Sequence, residues 1–366
     1  MALTVGVEEE FLVTDRVTGA LSPRADEIVA AASTAVADIT TELNLCQIEA
    51  ATTICSTLDD VEHELTRLRR ALEVYGAPLG LVALPVGTHP TSRWEDQQID
   101  VSSARYAVME DRYQVVAREQ VICGCHVHVA ATDAELRIGT INRLRPWLAT
   151  LLAMSANSPY WQGADTGYAS YRTQIWQRWP TAGMPPELQG SQGFDDLVRE
   201  MVSAGAIDDA THLYWYVRPS ARFPTIEFRV CDVCLDPADA VTLTGLLRGL
   251  VTVSMHENAH DAPLLLAGPA ADYLLRAAVW RAARYGLEDR LFDPASGRLA
   301  PAVAVVEGLL AHVRPALEEA GDWERVAAGV DRLVRNGNGA MWQRGVARKG
   351  HDQVVPALIE RTTNAC

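Results

Sequence analysis

Residues 5–11 read VGVEEEF and place three consecutive glutamates in a run that otherwise has the composition of a buried strand. Because the side chains of a strand alternate between its two faces, Glu8 and Glu10 share one face. Glu9 lies on the opposite face, together with the apolar residues of the strand. Neighbouring carboxylates repel each other, and burial raises the cost unless a cation or an arginine neutralises them. The stretch favours a metal site, and the alternative is an edge strand with a solvated acidic face.

The length and composition are those of a globular protein. The chain has 366 residues, of which 48% are hydrophobic and 22% are charged, as in ordinary folded domains. A chain of this length forms one large domain or two of ordinary size. No internal repeat, low-complexity block or linker rich in Pro, Gly or Ser divides it. We therefore expect a single domain over 1–366, with a mainly helical C-terminal portion from about residue 236.

The charge balance argues against a nucleic-acid partner. Lysine and arginine number 32 against 47 aspartates and glutamates, which gives a formal net charge of −15 at pH 7. This negative charge repels a phosphate backbone. Lys349 is the only lysine in the sequence, so the chain has no G-x-x-x-x-G-K-[ST] phosphate loop. Any bound phosphate would be held by arginine, metal or backbone groups.

The N-terminus and the cysteines predict a cytoplasmic protein with free thiols. The first residues, MALTVGVEEEF, lack the basic start and long apolar stretch of a signal peptide, and no apolar run approaches the ~18 residues that span a bilayer. The seven cysteines are odd in number and spread along the chain, which is unlike a disulfide framework. The pairs in CGC (123–125) and CDVC (231–234) could offer four zinc ligands. However, C-x-C in a strand places both sulfurs on one face, where cysteine commonly serves as a small core residue.

Hydrophobic periodicity predicts helices and short strands in mixed order. From 58 to 72, apolar residues recur at steps of three and four, which indicates a helix, and Ser56 with Asp59 resembles its capping box. Further helical patterns cover 24–37, 102–119, 133–156, 236–260, 269–286, 301–319 and 322–335. Strand patterns cover 3–13, 43–50, 79–87, 121–131, 212–218 and 224–231. This order predicts an α+β fold with an antiparallel sheet, and the long aromatic segment 157–192 predicts a functional loop.

A second predicted strand, VICGCHVHVAA (121–131), carries two histidines on one face. His126 and His128 alternate with Val127, which belongs to a thoroughly apolar opposite face. A lone strand histidine is usually a satisfied core residue. A paired H-x-H on the face away from the core is typical of a metal or phosphate site.

Two more strands repeat the pattern. In TIEFRV (225–230), Glu227 and Arg229 share a face. Such a pair could also be a surface ion pair that contributes little to stability. In LCQIEAA (45–51), Gln47 and Glu49 share a face. If all these faces belong to one sheet, its concave side holds at least four carboxylates and two imidazoles. Such a set suits Mg²⁺ or Mn²⁺ better than zinc, and clustered Mg²⁺ in a polar groove most often serves a nucleoside triphosphate. The positive charge that lysine provides elsewhere would come from Arg172, Arg218 and Arg229.

Linked motifs follow one another along the chain: GVEEEF (6–11), QIEA (47–50), VGTHP (86–90), GCHVHV (124–129), SPYWQGADTGYASYR (158–172), VRPS (217–220) and TIEFRVCD (225–232). As a set, they resemble the carboxylate-amine ligase (YbdK-like) branch of the glutamate–cysteine ligase type 2 family. The resemblance extends from about residue 4 to 290, and it implies a glutamine-synthetase-like fold: an antiparallel, saddle-shaped sheet with helices on its outer face. It also implies that the concave face of this sheet binds ATP and divalent cations.

The resemblance also implies roles for individual residues. Arg229 would contact the transferred phosphoryl group, and Arg218 would contact a phosphate or the substrate carboxylate. The implied metal ligands are Glu8, Glu10, Glu49, His126 and Glu227. The implied ligands of ATP or of the substrate are Arg172, His128 and Gln47.

The implied activity is that of an ATP-dependent carboxylate-amine ligase. A carboxylate attacks the γ-phosphorus of ATP with Mg²⁺ or Mn²⁺ screening the repulsion, an acyl phosphate forms, and an amine then gives the amide. The implied partners are a small carboxylate such as glutamate and an amine such as cysteine, with no nucleic acid or membrane, and the implied assembly is a homodimer. The 157–192 loop is the candidate cover that keeps water out. Two alternatives stay open: a phosphotransferase with a similar metal-binding face, and a non-catalytic protein that binds nucleotide or metal.

Overall fold

One antiparallel sheet forms the centre of the fold. A computed structural model of the chain describes residues 2–33, 36–268 and 270–364. The main sheet has seven strands in the order β2-β3-β1-β5-β9-β8, and β4 pairs with β1 off this path. The strands of the described ranges are β1 (Val5–Asp15), β2 (Ile39–Thr41), β3 (Gln47–Ala51), β4 (Leu81–Leu84), β5 (Gly124–Ala130), β6 (Tyr160–Trp161), β7 (Ala164–Asp165), β8 (Val217–Pro219), β9 (Thr225–Asp232), β10 (Arg290–Asp293) and β11 (Arg298–Pro301).

Helices follow and separate these strands, so the predicted α+β class with an antiparallel sheet is confirmed. The helices within the described ranges are α1 (Ala25–Ala32), α2 (Leu58–Gly76), α3 (Ala104–Tyr113), α4 (Val115–Arg118), α5 (Ala134–Leu144), α6 (Leu148–Ser155), α7 (Arg172–Trp176), α8 (Gly190–Ser203), α9 (Pro237–Ala259), α10 (Ala271–Tyr285), α11 (Ala302–Ala320), α12 (Trp323–Asn336), α13 (Gly339–Ala347) and α14 (Val354–Asn364).

The register around β1 brings the predicted polar residues onto one face of the sheet. β1 pairs with β3 on one side and with β5 on the other, so that Glu10 lies opposite Glu49 and Glu8 lies opposite His126. On the next strand pair, His128 lies opposite Glu227. Because directly opposed residues of an antiparallel pair point to the same side of the sheet, these six side chains share one face.

The other face of the sheet packs against helices. Val7, Val127 and Phe228 are almost fully buried in a core that also contains α9. By length and composition α9 could cross a membrane, contrary to the sequence expectation that no segment could. However, 72% of its apolar window is buried inside the protein, as expected for the core helix of a globular fold.

The middle glutamate of the triplet has a structural partner. Glu9 is 1% exposed on the apolar face, where Arg69 of α2 donates to both of its carboxylate oxygens at 2.6 and 2.8 Å. Arg69 also donates to the carbonyl groups of Cys234 and Leu235, so the ion pair ties β1, α2 and the segment after β9 together. A buried charge pair of this kind is tolerated because its hydrogen-bonding groups are satisfied.

Several local predictions were wrong. α2 begins at Leu58, as the apolar pattern predicts, but its N-cap is Thr57, which forms the capping box with Asp60 rather than Ser56 with Asp59. The helix expected over 102–119 is interrupted at Gln114, whose φ of 51° is incompatible with a continuous helix. Sequence periodicity also missed the helices and the hairpin that lie outside strongly patterned segments, namely α8, α13, α14 and β10-β11. Of the predicted helices, residues 34–35 and 269 lie outside the described residues.

The cysteines of the described ranges are free, as predicted. Cys125, Cys231 and Cys234 lie in the main core, and Cys46 and Cys123 lie in a second apolar cluster. Burial raises the pKa of the Cys231 thiol to about 12, which keeps it protonated and apolar. These sulfurs fit the prediction of small core residues, whereas Cys366 lies outside the described part of the chain.

Breaking the ion pair of β1 is expected to destabilise the fold strongly. Glu9→Gln leaves the Arg69 guanidinium buried without its counter-charge, so we expect a loss of about 3–5 kcal/mol in the free energy of unfolding, measured by urea denaturation. The control is Arg325→Ala, which removes an ion pair with the exposed Asp59 and Glu62. The control should lose less than about 1 kcal/mol. Equal losses in the two variants would contradict the role given to Glu9.

Candidate active site

The polar face of the main sheet forms the floor of a cavity in the described part of the chain. This cavity has a volume of about 290 Å³, and its lining includes residues from β1, β3, β5, β8 and β9. A smaller cavity of about 70 Å³ adjoins it. Both cavities are lined by Glu42, Arg105, Tyr106, Tyr214 and Arg229.

Two groups of acidic and imidazole side chains converge at this site. Glu8, Glu49 and His126 each offer one ligand atom, and these atoms lie within 4.8 Å of one another. Glu10, Glu42 and Glu49 form a second group with the same property. Because Glu49 belongs to both groups, its carboxylate could be shared by two neighbouring cations.

An unpartnered nitrogen atom supports this interpretation. His126 is 3% exposed, and its Nδ1 atom lies 3.2 Å from Glu8 Oε2. Its Nε2 atom is buried and has no hydrogen-bond partner among the described residues. The carboxylate oxygen Glu10 Oε1 lies 3.8 Å from this nitrogen. Buried polar atoms are normally satisfied, so a histidine nitrogen beside a carboxylate but without a hydrogen bond fits a cation site.

The electrostatics of the two groups differ. Burial opposes ionisation of Glu8, but hydrogen bonds with His126 and His128 outweigh it and hold the pKa of Glu8 well below its usual range. For Glu42 and Glu49, burial and the neighbouring carboxylates both favour the protonated form. Together they raise the pKa of Glu42 to about 7 and the pKa of Glu49 well above its usual value. A carboxylate cluster with raised pKa values is under-neutralised by the protein itself, and a cation would supply the missing charge.

Arginines surround Glu227 at the other end of the larger cavity. Arg218 donates to its two oxygens at 2.9 and 3.0 Å, and Arg229 donates to one of them at 2.5 Å. Burial opposes ionisation of Glu227, but the two guanidinium groups outweigh it and lower its pKa. Glu227 is therefore in the predicted cavity, although it does not belong to either converging group; its role as a metal ligand stays a prediction.

The Arg172 side chain packs against Gly124 of β5, where the absence of a Cβ atom leaves room for its guanidinium. Its Nη2 atom donates to the Arg229 carbonyl at 3.2 Å, and a Cβ atom on Gly124 would lie 2.2 Å from it. The backbone N–H of Gly124 also donates to Glu10 Oε2 at 2.5 Å. A side chain at position 124 would therefore displace the arginine beside one of the acidic groups.

The segment 157–192 is packed onto the end of β9. Buried Asp232 accepts hydrogen bonds from the Asn157 N–H and from the hydroxyl groups of Ser158 and Ser170. Farther along the segment, Trp176 and Trp179 line the smaller cavity but not the larger one. Part of the segment therefore forms a wall of the smaller cavity, and its role as a cover that excludes water stays a prediction.

The remaining predicted ligands are placed as follows. His128 lines the larger cavity, with Nε2 at 3.3 Å from Glu8 Oε1 and Nδ1 at 2.9 Å from Thr225 Oγ1. Gln47 lines the smaller cavity, but its amide already contacts the Asn44 side chain and the Ile122 carbonyl. Gln47 thus holds the loop before β3, and ligand binding by either residue stays a prediction.

Sequence reasoning missed three residues of the site. Glu42 lies between β2 and β3, outside any alternating pattern, and it accepts a hydrogen bond from the hydroxyl group of Tyr106. Arg105 and Tyr106 come from the start of α3, in a segment without a recognisable motif. Only the positions of these elements relative to the sheet reveal that the three side chains reach the cavity.

The crowded acids predict a pH-dependent stability of the metal-free protein. Since the pKa of Glu42 is about 7 in the folded state against 4.5 for an ordinary glutamate, the folded state binds the proton more tightly. The free energy of unfolding should therefore fall as pH rises from 4.5 to 7, measured by urea denaturation in EDTA. Glu42→Gln should flatten this slope, and Mg²⁺ should restore the stability of the unmutated protein at pH 8. Identical slopes in the two proteins would contradict the raised pKa assigned to Glu42.

Comparison with known proteins identifies relatives along the whole chain. The family described as "Glutamate-cysteine ligase family 2" matches this chain over residues 4–355. A protein of Saccharopolyspora erythraea, named "Putative glutamate–cysteine ligase 2-1", is 43% identical over 362 residues, which cover 98% of this chain and 95% of the relative. A relative in Streptomyces coelicolor, with the same type of name, is 42% identical and covers 99% of both chains.

Solved structures show the same fold at low sequence identity. Glutamate–cysteine ligase of Francisella tularensis, in complex with AMP, has a TM-score of 0.73 at 13% identity, covering 100% of this chain and 89% of that one. A bifunctional glutathione synthetase of Pasteurella multocida has a TM-score of 0.70 at 16% identity, covering 100% of this chain and 53% of that one. The family match and the relatives at more than 40% identity agree with the geometry of the acidic cavity. The chain belongs to glutamate–cysteine ligase family 2.

Proposed function

We propose that the acidic cavity joins a carboxylate to an amine at the expense of ATP, which makes the chain an ATP-dependent carboxylate-amine ligase. Family membership supports this class of C–N bond-forming enzyme. The observation that carries the proposal is the convergence of two acidic groups that share Glu49, next to the arginines that surround Glu227. Such a site can hold a polyphosphate and its counter-cations at once.

The two acidic groups would hold Mg²⁺ or Mn²⁺. Glu8, Glu49 and His126 would bind one ion, and Glu10, Glu42 and Glu49 a second. When bound, the ions would neutralise the phosphate oxygens of ATP and screen them from the attacking carboxylate. Oxygen ligands with a single imidazole suit such hard cations.

The arginines would stabilise the charge that develops during transfer. Carboxylate attack on the γ-phosphorus forms an acyl phosphate and releases ADP. Arg229 is fixed by its ion pair with Glu227 and by a contact with the Trp176 ring, 5.1 Å from the ring centroid. A guanidinium that is already positioned costs little reorganisation when phosphate charge appears.

The amide would form in a site that limits water. Attack of a deprotonated amine on the acyl phosphate gives the amide and phosphate, whereas water would hydrolyse the same intermediate. Trp176, Trp179 and Tyr214 supply an aromatic wall to the smaller cavity, beside Arg229. This wall would keep the second step drier than an open groove.

The relatives' names suggest the partners. We propose a small carboxylate such as glutamate and an amine such as cysteine or another amino compound, because the curated relatives are named for the glutamate–cysteine pair. We further propose that the enzyme acts in the cytoplasm as a homodimer. Direct binding and sedimentation measurements test these assignments separately from the reaction class.

The reaction class predicts a strict requirement for two co-substrates. ADP and phosphate should be released at full rate only when both a carboxylate and an amine are present, assayed by coupled ADP detection over pairs of amino acids. Mass spectrometry should show an amide product. A phosphorylated acceptor formed without amine consumption would favour the phosphotransferase alternative, and ATP binding without turnover would favour a non-catalytic protein.

Removing one shared cation ligand should abolish most of the activity. Glu49→Gln keeps the shape of the side chain but removes a charge from both acidic groups, so we expect kcat/KM to fall at least about 100-fold, the scale of losing one transition-state charge stabiliser. Glu62→Gln, on the exposed face of α2, is the matched control and should be unaffected. Near-normal activity of Glu49→Gln, with intact folding, would remove Glu49 from the proposed cation sites.

A further inference from the structure

Arg105 stands out because it faces both cavities with an unpaired charge. It lies in the first turn of α3 and lines the larger and the smaller cavity. Arg218 and Arg229 are held by Glu227, and Arg172 lies 3.8 Å from Asp232. By contrast, Arg105 is exposed and forms no ion pair within the described ranges of the chain, although its charge acts on the nearby Glu42 carboxylate.

The backbone that carries Arg105 is held firmly although its guanidinium is free. The neighbouring Tyr106 hydroxyl group donates to Glu42, and Met109 is buried against Leu43 and Trp179. At the other end of the helix, Arg112 donates to Asp208 Oδ1 at 2.9 Å. The segment before α3 also exchanges backbone hydrogen bonds with the loop that precedes β3.

These contacts fix α3 relative to the acidic groups. Tyr106 contacts Glu42, which belongs to one of the converging groups, so a ligand held there would lie near the start of α3. Arg222 also lacks an ion pair within the described residues, but it lines only the larger cavity. Arg105 is therefore the unpaired cation placed where the two cavities meet.

We propose that Arg105 binds an anionic oxygen atom of a substrate at the junction of the two cavities. This inference rests on the proposed ligase function, in which a phosphate and a carboxylate must come together in the active site. The ligand is a phosphate oxygen of ATP or a carboxylate oxygen of the acid substrate, since a guanidinium binds either through two parallel hydrogen bonds. Arg105 is thus a substrate-binding residue that no sequence motif indicated.

Binding measurements without turnover distinguish the two sources. Isothermal titration calorimetry is used with Mg²⁺·ATP as one probe and L-glutamate as the other, on the unmutated chain and on Arg105→Ala. Loss of a charge-assisted hydrogen bond should weaken binding of the affected probe about 10- to 100-fold. Weaker binding of ATP identifies the phosphate as the ligand, and weaker binding of glutamate identifies the carboxylate.

Two further variants control the measurement. Arg105→Lys keeps the charge but not the planar fork, so it should restore part of the lost affinity. Arg335→Ala removes an exposed arginine of α12 that lines neither cavity, so it should bind both probes normally. Unchanged affinity of Arg105→Ala for both probes, in a protein with a normal melting temperature, would overturn the proposal.

The outcome is separable from the proposed function. If the chain binds Mg²⁺·ATP but forms no amide with any acid and amine, the ligase proposal is overturned. The affinities of the unmutated chain and of Arg105→Ala can still be compared in that case. A chain that forms amide with undiminished affinity in Arg105→Ala would overturn only the role of Arg105.

Discussion

Repulsion among carboxylates on one face of a sheet is the constraint on which the rest of the structure depends. Glu8, Glu10, Glu42 and Glu49 converge in a buried region, and the pKa values of two of them are raised as a result. Each uncompensated buried charge costs stability, so the cluster marks the candidate working face of the molecule. The apolar helices pack on the opposite face.

Much of this face could be predicted from strand parity. The alternation in β1, β5 and β9 correctly placed Glu8, Glu10, His126 and Glu227 on the polar side, because a period of two is fixed by strand geometry. The assumption that these strands are neighbours came from a family resemblance, since single-strand patterns contain no information on pairing. The register in the structure, with Glu10 opposite Glu49, shows why the resemblance and the parity agree.

The rest of the site could not be predicted, for a physical reason. Glu42 and Arg105 lie just outside regular strands, in a connection and at a helix start, where no periodicity links a side chain to a direction. Their positions depend on tertiary contacts, such as the Tyr106 hydrogen bond and the burial of Met109. The helix cap at Thr57 was mistaken for a similar reason, since Ser56 and Thr57 are chemically equivalent and only the backbone conformation chooses between them.

The pairing of Glu9 with Arg69 has a consequence for how the triplet is aligned. If β1 slipped by one residue along its neighbours, every side chain would change sides: Glu9 would enter the cavity, and its two flanking glutamates would be forced among hydrocarbon groups. The bidentate contact from α2 is possible only in one alignment. The ion pair of the central glutamate thus fixes the register of β1, although three identical residues follow one another in its sequence.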